Sequence, residues 1–200
     1  MSLRYLSVLL CLFVIAGCTT LPDGPEESVN LPAQLAALKD VSQWKATGKM
    51  AIREFDEAVS ANMIWKVDGE NFEFRMTNLL GITLVDLVSD DKGAVLNANN
   101  KTFKDEDASA LIYQVTNWDI PVTQLISWTK GLPQPGDQYT LTDKQLLDTL
   151  TPGCVECGVW NVKYSKYGEV DGVWLPHSLV LTRVDSKDVL IKIRIDRWTL

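Results

Sequence analysis

Alternation of apolar and polar residues from Trp44 onward is the feature that most constrains the fold of this 200-residue chain. The alternation is clearest over residues 44–53, 59–66 and 72–77, where every second side chain is apolar or small. A period of two predicts strands with one face toward water and the other toward a core. Asp68-Gly69 lies between the second and third of these segments and is typical of a hairpin turn.

The remaining pattern adds further strands and three short helices. The predicted strands are 44–53, 59–66, 72–77, 82–88, 94–98, 101–103, 138–141, 145–149, 158–164, 175–183 and 189–198. The predicted helices are 32–43, 105–118 and a third that begins at Pro121 and stops at Gly131-Leu132-Pro133. Because the helices interrupt the strands rather than alternate with them, a parallel α/β fold is disfavoured. So many antiparallel strands generally curl or close, which predicts a partly closed barrel with helices over one opening.

The first residues predict export and lipidation. Arg4 precedes a mainly apolar segment, 6–16, which is too short to span a bilayer and ends in small residues before Cys18. This arrangement resembles a bacterial lipoprotein signal, in which the Cys18 thiol is acylated. We therefore expect a signal peptide over 1–17, a flexible lipid tether over 18–30 and a single domain over 31–200. By resemblance to enterobacterial lipoproteins, Thr19 favours the outer membrane, with the domain facing the periplasm.

Composition argues against two broad functions. A formal charge of −7 disfavours a nucleic-acid binder, which normally presents an extended basic face. The chain has one histidine, His177, and neither a phosphate-binding loop nor a nucleophile motif. His177 and the acidic clusters at 90–91 and 105–107 are explained by hydrogen bonding, a turn and a helix start. We therefore predict no catalytic residues, no metal site, no cofactor and no enzymatic activity.

Cys154 and Cys157 are separated by two residues, a spacing found in redox motifs and in half of a zinc site. The chain lacks a second pair of cysteines to complete a zinc site. Pro152-Gly153 before the pair suggests a turn rather than the helix start of a thioredoxin-type site. A structural or incidental pair is favoured, and in an oxidising compartment a short-loop disulfide is its expected state.

The segment 77–81, Thr-Asn-Leu-Leu-Gly, is unusual for a hairpin tip. Such tips are normally polar, but here Leu79 and Leu80 precede Gly81, a residue that readily takes positive φ. The leucines either fold back onto the sheet or are presented to an apolar partner such as lipid. One inserted leucine contributes roughly 1.5–3 kcal/mol, enough to touch a bilayer but not to anchor a domain.

These motifs together resemble the LolB family of outer-membrane lipoprotein receptors. The resemblance rests on the 77–81 segment, on Trp128 with Gly131-Leu132-Pro133, on Trp44 with Gly48, on Ile64-Trp65 and on 196–198, Asp-Arg-Trp. Two features depart from the family: Leu79 stands where proline is expected, and the Cys154/Cys157 pair is not a family feature.

The resemblance implies an unclosed antiparallel barrel of about eleven strands, with a helical lid over an apolar cavity. It also implies that the periplasmic carrier LolA delivers lipoproteins, whose acyl chains enter the cavity and then pass into the outer-membrane phospholipid. Leu79, Leu80 and Gly81 would form the membrane-targeting loop of a monomer. Large apolar side chains can fill a core or line a cavity, and periodicity does not separate the two. The residues expected in the cavity wall are Met50, Ile52, Met63, Trp65, Phe72, Phe74, Met76, Leu111, Trp128 and Trp160.

A structural outer-membrane lipoprotein is the main alternative function. Such a protein would bind an assembly partner through an exposed strand edge. It would need no apolar cavity, so it predicts a filled barrel. A thiol–disulfide enzyme using Cys154 and Cys157 is a third and weaker alternative.

Overall fold

The structure is a computed structural model that describes residues 23–54, 57–116, 122–153, 160–184 and 189–200. Within these residues the helices are α1 (Leu31–Asp40), α2 (Ala108–Thr116) and α3 (Val122–Thr129). The strands are β1 (Gln43–Glu54), β2 (Glu57–Asp68), β3 (Asn71–Thr77), β4 (Thr83–Asp90), β5 (Gly93–Ala98), β6 (Lys101–Asp105), β7 (Gln138–Leu141), β8 (Leu147–Thr151), β9 (Trp160–Val170), β10 (Val173–Arg183) and β11 (Val189–Thr199). None of the helices described is long and apolar enough to cross a bilayer.

All eleven strands form one sheet, in the order β6-β5-β4-β3-β2-β1-β11-β10-β9-β8-β7. Every neighbouring pair is antiparallel. The sheet is unclosed, because β6 and β7 lie at its two edges. Helices α2 and α3 follow β6 and precede β7 in the chain, and α2 packs on β5 and on the edge strand β6. The prediction of an unclosed antiparallel barrel with three helices is confirmed.

Two hairpins illustrate how local sequence sets the strand pairing. Asn99 and Asn100 have φ of 50° and 59°, and the flanking Ala98 and Lys101 pair directly. Positive φ at both central positions defines the type I′ turn, whose twist matches that of the strands it joins. Asp171 and Gly172 connect β9 to β10 in the same way, with φ of 50° and 82°.

Gly48 is required by a close approach of β1 and β11. The pairing of these strands shifts register between Thr47 and Gly48. A Cβ atom on Gly48 would lie 1.9 Å from the carbonyl oxygen of Arg194, a distance that no side chain can occupy. The missing side chain therefore lets β1 and β11 approach closely at this bulge.

Several element boundaries differ from those predicted, and three of them have a clear structural reason. Helix α1 ends at Asp40 rather than at residue 43, because Gln43 already pairs with Asp68 of β2. Strand β8 starts at Leu147, since Gln145 has φ of 62° and lies in the preceding turn. Strand β9 runs on to Val170 instead of stopping at 164. Its polar, glycine-containing second half lacks alternation, and its strand conformation depends on pairing with β10.

Candidate functional site

An apolar cavity of about 130 Å³ lies between the concave face of the sheet and helices α2 and α3. Every side chain in its wall is aliphatic, aromatic or methionine. The strands contribute Met50, Ile52, Trp65, Phe72, Phe74, Met76, Val85, Leu87, Leu96, Ala98, Leu181, Ile191 and Ile193. The helices contribute Ile112, Val115, Val122 and Leu125. A site of this composition can accept hydrocarbon, since a polar ligand would lose its hydrogen bonds to water without replacement.

Six of the ten residues expected in the cavity wall line the cavity, namely Met50, Ile52, Trp65, Phe72, Phe74 and Met76. All six come from the first three strands, where the alternation is strict. On β4 and β5 the same alternation could have identified Val85, Leu87, Leu96 and Ala98. The helical residues of the wall were missed because a short helix does not reveal from sequence alone which of its apolar faces meets a cavity.

The other four expected residues, Met63, Leu111, Trp128 and Trp160, lie outside the cavity wall, and their placement there is corrected. All four are buried in the core. On α2 the cavity face is formed by Ile112 and Val115 rather than by Leu111. Trp128 instead donates its indole N–H to Asp137 at 2.9 Å. Met63 and Trp160 pack within the sheet's hydrophobic core.

An aromatic cluster lies at one end of the cavity. Trp44 packs edge-to-face on Trp198 and on Trp65, with ring centroids 5.2 and 5.3 Å apart, and Trp65 packs on Phe74 at 5.5 Å. Such edge-to-face pairs are worth about 0.5–1.5 kcal/mol each beyond their buried area. Trp65 and Phe74 also belong to the cavity wall, so this cluster forms its floor.

Toward the opposite end of the strands the cavity wall becomes more exposed. Along β4, exposure rises from Leu87, which is buried, to Val85, which is half-buried. Leu96 and Ala98 of β5 show the same change toward the turn at 99–100. This end of the sheet also carries the connection between β3 and β4, over residues 78–82.

This β3–β4 connection, the tip loop, presents its apolar side chains to solvent. Leu79 and Leu80 are 86% and 85% exposed, and Ile82 is 58% exposed. Asn78 holds the loop, because its side-chain oxygen accepts hydrogen bonds from the backbone N–H groups of Leu80 and Ile82 at 2.9 and 3.0 Å. Gly81 has φ of 80°. The leucines therefore do not fold back onto the sheet, which decides between the two alternatives left by the sequence.

The polar candidates have structural roles. His177 is buried, and its Nδ1 hydrogen-bonds the carbonyl oxygen of Ile195 at 2.7 Å. Asp107 accepts from the backbone N–H of Ala110 at the start of α2, and Asp90 accepts from that of Lys92 in a hairpin turn. Over the described ranges, no group of three or more His, Cys, Asp or Glu residues could hold a metal ion.

Three cysteines singled out from the sequence, Cys18, Cys154 and Cys157, lie outside the described residues. The same is true of the signal segment at 1–17 and of the tether up to residue 22. Their predicted roles therefore stay predictions.

Two polar side chains that sequence reasoning missed hold the C-terminal end of α3. Asp137 accepts from Trp128 Nε1, from the backbone N–H of Gln134 at 2.8 Å and from that of Gly153 at 3.0 Å. Lys130 is buried and donates to the carbonyl oxygen of Leu38, in the last turn of α1, at 3.0 Å and to that of Val41, just after the helix, at 2.5 Å. Burial lowers the pKa of the Lys130 ammonium.

Similarity to known proteins identifies the family of this chain. A family model described as outer membrane lipoprotein LolB matches residues 42–198. The chain belongs to the LolB family. The outer-membrane lipoprotein LolB of Aeromonas hydrophila is 35% identical over 95% of this chain and 93% of its own. LolB of Shewanella baltica is 32% identical over 95% of this chain and 86% of its own.

A solved structure supports the fold independently. A LolA-superfamily protein from Nitrosomonas europaea superposes with a TM-score of 0.52, covering 86% of this chain and 94% of its own. At 7% identity this likeness concerns the fold alone. Membership of the LolB family indicates a role in lipoprotein localisation rather than enzymatic catalysis. The names of the relatives support a location at the outer membrane.

Proposed function

We propose that this protein accepts lipoproteins from the periplasmic carrier LolA, holds their acyl chains in the apolar cavity and inserts them into the outer membrane. The proposal rests on one juxtaposition: the cavity wall becomes more exposed toward the end of the sheet that carries the exposed leucines of the tip loop. An apolar container and an apolar membrane contact thus share one end of the molecule.

The energetics of acyl chains require such an arrangement. A chain of about fourteen CH₂ groups costs on the order of 11 kcal/mol to place in water, at about 0.8 kcal/mol per group. A triacylated lipoprotein must therefore pass from one apolar environment to the next. The transfer breaks no covalent bond. It therefore requires that the cavity bind the acyl chains more tightly than the carrier does, and that the bilayer hold them more tightly still.

The tip loop supplies the membrane contact in this proposal. Each leucine that enters the hydrocarbon contributes roughly 1.5–3 kcal/mol, so Leu79 and Leu80 together give a reversible contact. We further propose that the chain is tethered to the outer membrane through acylated Cys18 and faces the periplasm. The tether keeps the domain close to the bilayer, and the tip loop then touches the bilayer at the moment of release.

The strand-edge alternative predicts a filled barrel, whereas the cavity between the sheet and the helices leaves apolar space inside. Strands β6 and β7 lie at the edges of the sheet, where such pairing would occur, but they do not account for this cavity. The receptor function is therefore the better supported of the two.

A reconstituted transfer assay tests the proposal. LolA loaded with a triacylated lipoprotein is mixed with the unacylated domain, with and without phospholipid vesicles. We expect the lipoprotein to move to the domain and then into the vesicles. Leu80→Glu should leave uptake intact but slow delivery about tenfold or more, because one leucine's transfer energy is lost. Lipoprotein that stays on LolA in the presence of the wild-type domain would contradict the proposal.

A further inference from the structure

The end of β2 carries an apolar side chain that the cavity wall does not account for. Val59 pairs with Ile52, which in turn pairs with Ile191, and both of these line the cavity. Directly opposed residues of antiparallel strands point to the same face of the sheet. Val59 therefore faces the cavity side, one strand beyond Ile52.

Exposure changes abruptly along this face of β2. Met63 and Ala61 are 1% and 4% exposed, whereas Val59, two residues further on, is 53% exposed. The apolar side of the strand thus emerges from the core at Val59.

The cause of this exposure is the length of β3. The last residue of β3, Thr77, pairs with Asn62, and the chain then turns into the tip loop. Strand β2 continues from Asn62 back to Glu57 along β1, but it has no β3 partner over that stretch in the described residues. The sheet therefore has a step on this side, because β2 extends past the end of β3. Val59 lies on the extension of β2, and the tip loop begins where β3 ends.

This step connects the cavity to the tip loop. Met76 lines the cavity, pairs with Met63 and is separated from the tip loop by one residue, Thr77. Val59 lies four residues from Met63 on β2, a distance of about 13 Å along the strand. Cavity wall, Val59 and tip-loop leucines form a series of apolar positions at one end of the barrel.

We propose that Val59 forms a lip over which an acyl chain leaves the cavity, passing between the end of β2 and the tip loop into the bilayer. This inference rests on the proposed function and specifies the route of release. The occupant is hydrocarbon rather than a peptide segment, because the lip continues a wall that is apolar throughout. The lip allows a chain to leave gradually, so that fewer methylene groups meet water at once.

Site-specific photocross-linking tests the route. A benzophenone amino acid replaces Val59 in one variant and Ile64 in the control, since Ile64 is also exposed, at 39%, but pairs with Arg75 on the outer face. Each variant is filled with a synthetic triacylated lipopeptide and irradiated before and after vesicles are added. We expect an acyl adduct at position 59 that disappears once vesicles drain the cavity, and none at position 64.

Mass spectrometry of the adduct shows whether the acyl chain or the peptide part of the lipopeptide is cross-linked. A cross-link to the peptide part at position 59, or equal labelling at positions 59 and 64, would overturn the proposed route. If the wild-type domain takes up no lipopeptide at all, the receptor function itself fails and the lip fails with it. If uptake and delivery proceed without any adduct at position 59, the lip alone is wrong.

Release kinetics provide a second and independent readout. Val59→Thr keeps the shape of the side chain but adds a hydroxyl, and Val59→Asp adds a charge. We expect both to fill normally and to release more slowly, with Val59→Asp about fivefold slower, because roughly half of a valine's apolar burial is lost on the route. Ile64→Asp should release at the wild-type rate. Wild-type release by both Val59 variants would overturn the proposal.

Discussion

At the residue scale, the functional surface consists of side chains that contribute only hydrocarbon. Phe74 illustrates this point, because it is half-buried, lines the cavity and packs on Trp65 of the floor. Its outward neighbour in sequence, Arg75, instead pairs with Asp86 at 2.7 Å. Burying a charge where no partner exists costs far more than exposing it to water. A carboxylate placed in the wall should therefore weaken acyl-chain binding, because the bound chain would strip water from the charge.

Phe74→Asp should reduce acyl-chain binding by at least about tenfold, since it replaces an apolar wall by an unpaired charge. Titration with a fluorescent fatty acid measures the change in Kd. Ile64→Asp, on the outer face of β2, is the matched control and should bind as the wild type does. Undiminished binding by a folded Phe74→Asp variant would remove Phe74 from the binding wall.

A second residue-scale prediction concerns Tyr164. Burial is the main cause that raises the pKa of its phenol well above the usual value of 10.0. Because the folded state retains the proton that the unfolded chain releases, the stabilisation is complete below pH 10 and is lost as the pH rises above it. Tyr164→Phe should make the free energy of unfolding fall less steeply above pH 10.

Urea unfolding at several pH values measures this slope. Lys130 acts in the opposite sense, because its lowered pKa makes stability rise with pH in a window just below its usual 10.5. Comparing each variant with the wild type therefore isolates the tyrosine. Tyr113→Phe, a change at an exposed ring, should leave the slope unaltered. At neutral pH, Tyr164→Phe should not destabilise, since its buried hydroxyl has no hydrogen-bond partner among the described residues.

At the scale of elements, the tip loop is an exposed apolar segment held by a polar residue. Leu79 and Leu80 gain nothing from burial in the folded domain, so their presentation depends on backbone hydrogen bonds. Asn78 provides these through its side chain, and its backbone N–H also donates to the carbonyl oxygen of Ile82 at 2.9 Å. The loop is therefore ordered by local polar contacts, whereas its proposed contact with the membrane is made by apolar side chains.

Asn78→Ala should weaken delivery to vesicles without lowering uptake, because it removes the two hydrogen bonds that shape the loop and keeps both leucines. Each lost hydrogen bond costs about 0.5–1.5 kcal/mol of local order. The transfer assay measures uptake and delivery separately. We expect a smaller defect than that of Leu80→Glu, and a larger defect would show that Asn78 has a role beyond shaping the loop.

At the scale of the whole molecule, the cavity is small for its proposed contents. Its volume of about 130 Å³ lies below the roughly 300–1,000 Å³ of pockets that enclose drug-sized ligands. Filling by an acyl chain therefore requires part of the wall to move. Helix α3 is held at its C-terminal end by Asp137 and Lys130, whereas α2 packs on β5 and on the edge strand β6, and Ser109 Oγ accepts from Val122 N of α3 at 3.1 Å.

Occupancy should therefore displace α2 and leave the end of α3 in place. Hydrogen exchange with and without a bound triacylated lipopeptide measures this difference. We expect faster exchange over 108–116 on filling and little change over 125–132, because the latter segment keeps its contacts with α1 and Asp137. Equal changes in both helices would mean that the lid moves as one unit.

The amino-acid sequence by itself determined the strands, several turns and the part of the cavity wall that lies on β1, β2 and β3. Alternation is a local property, and on β1, β2 and β3 it sets which side chains face inward, as Met50, Trp65 and Met76 show. The Asn99-Asn100 turn follows equally from local backbone preference. The family resemblance also came from short motifs, each of which is local in the chain.

Only the tertiary structure decided what depends on contacts between distant segments. Trp128 and Leu111 are apolar and lie in helices, yet neither lines the cavity, because Asp137 binds the first and the packing of α2 turns the second away. The step beside Val59 exists because β3 is shorter than β2, and its consequence for exposure appears only when the strands are paired. Local preferences fix which face a residue takes, whereas long-range packing fixes what that face meets.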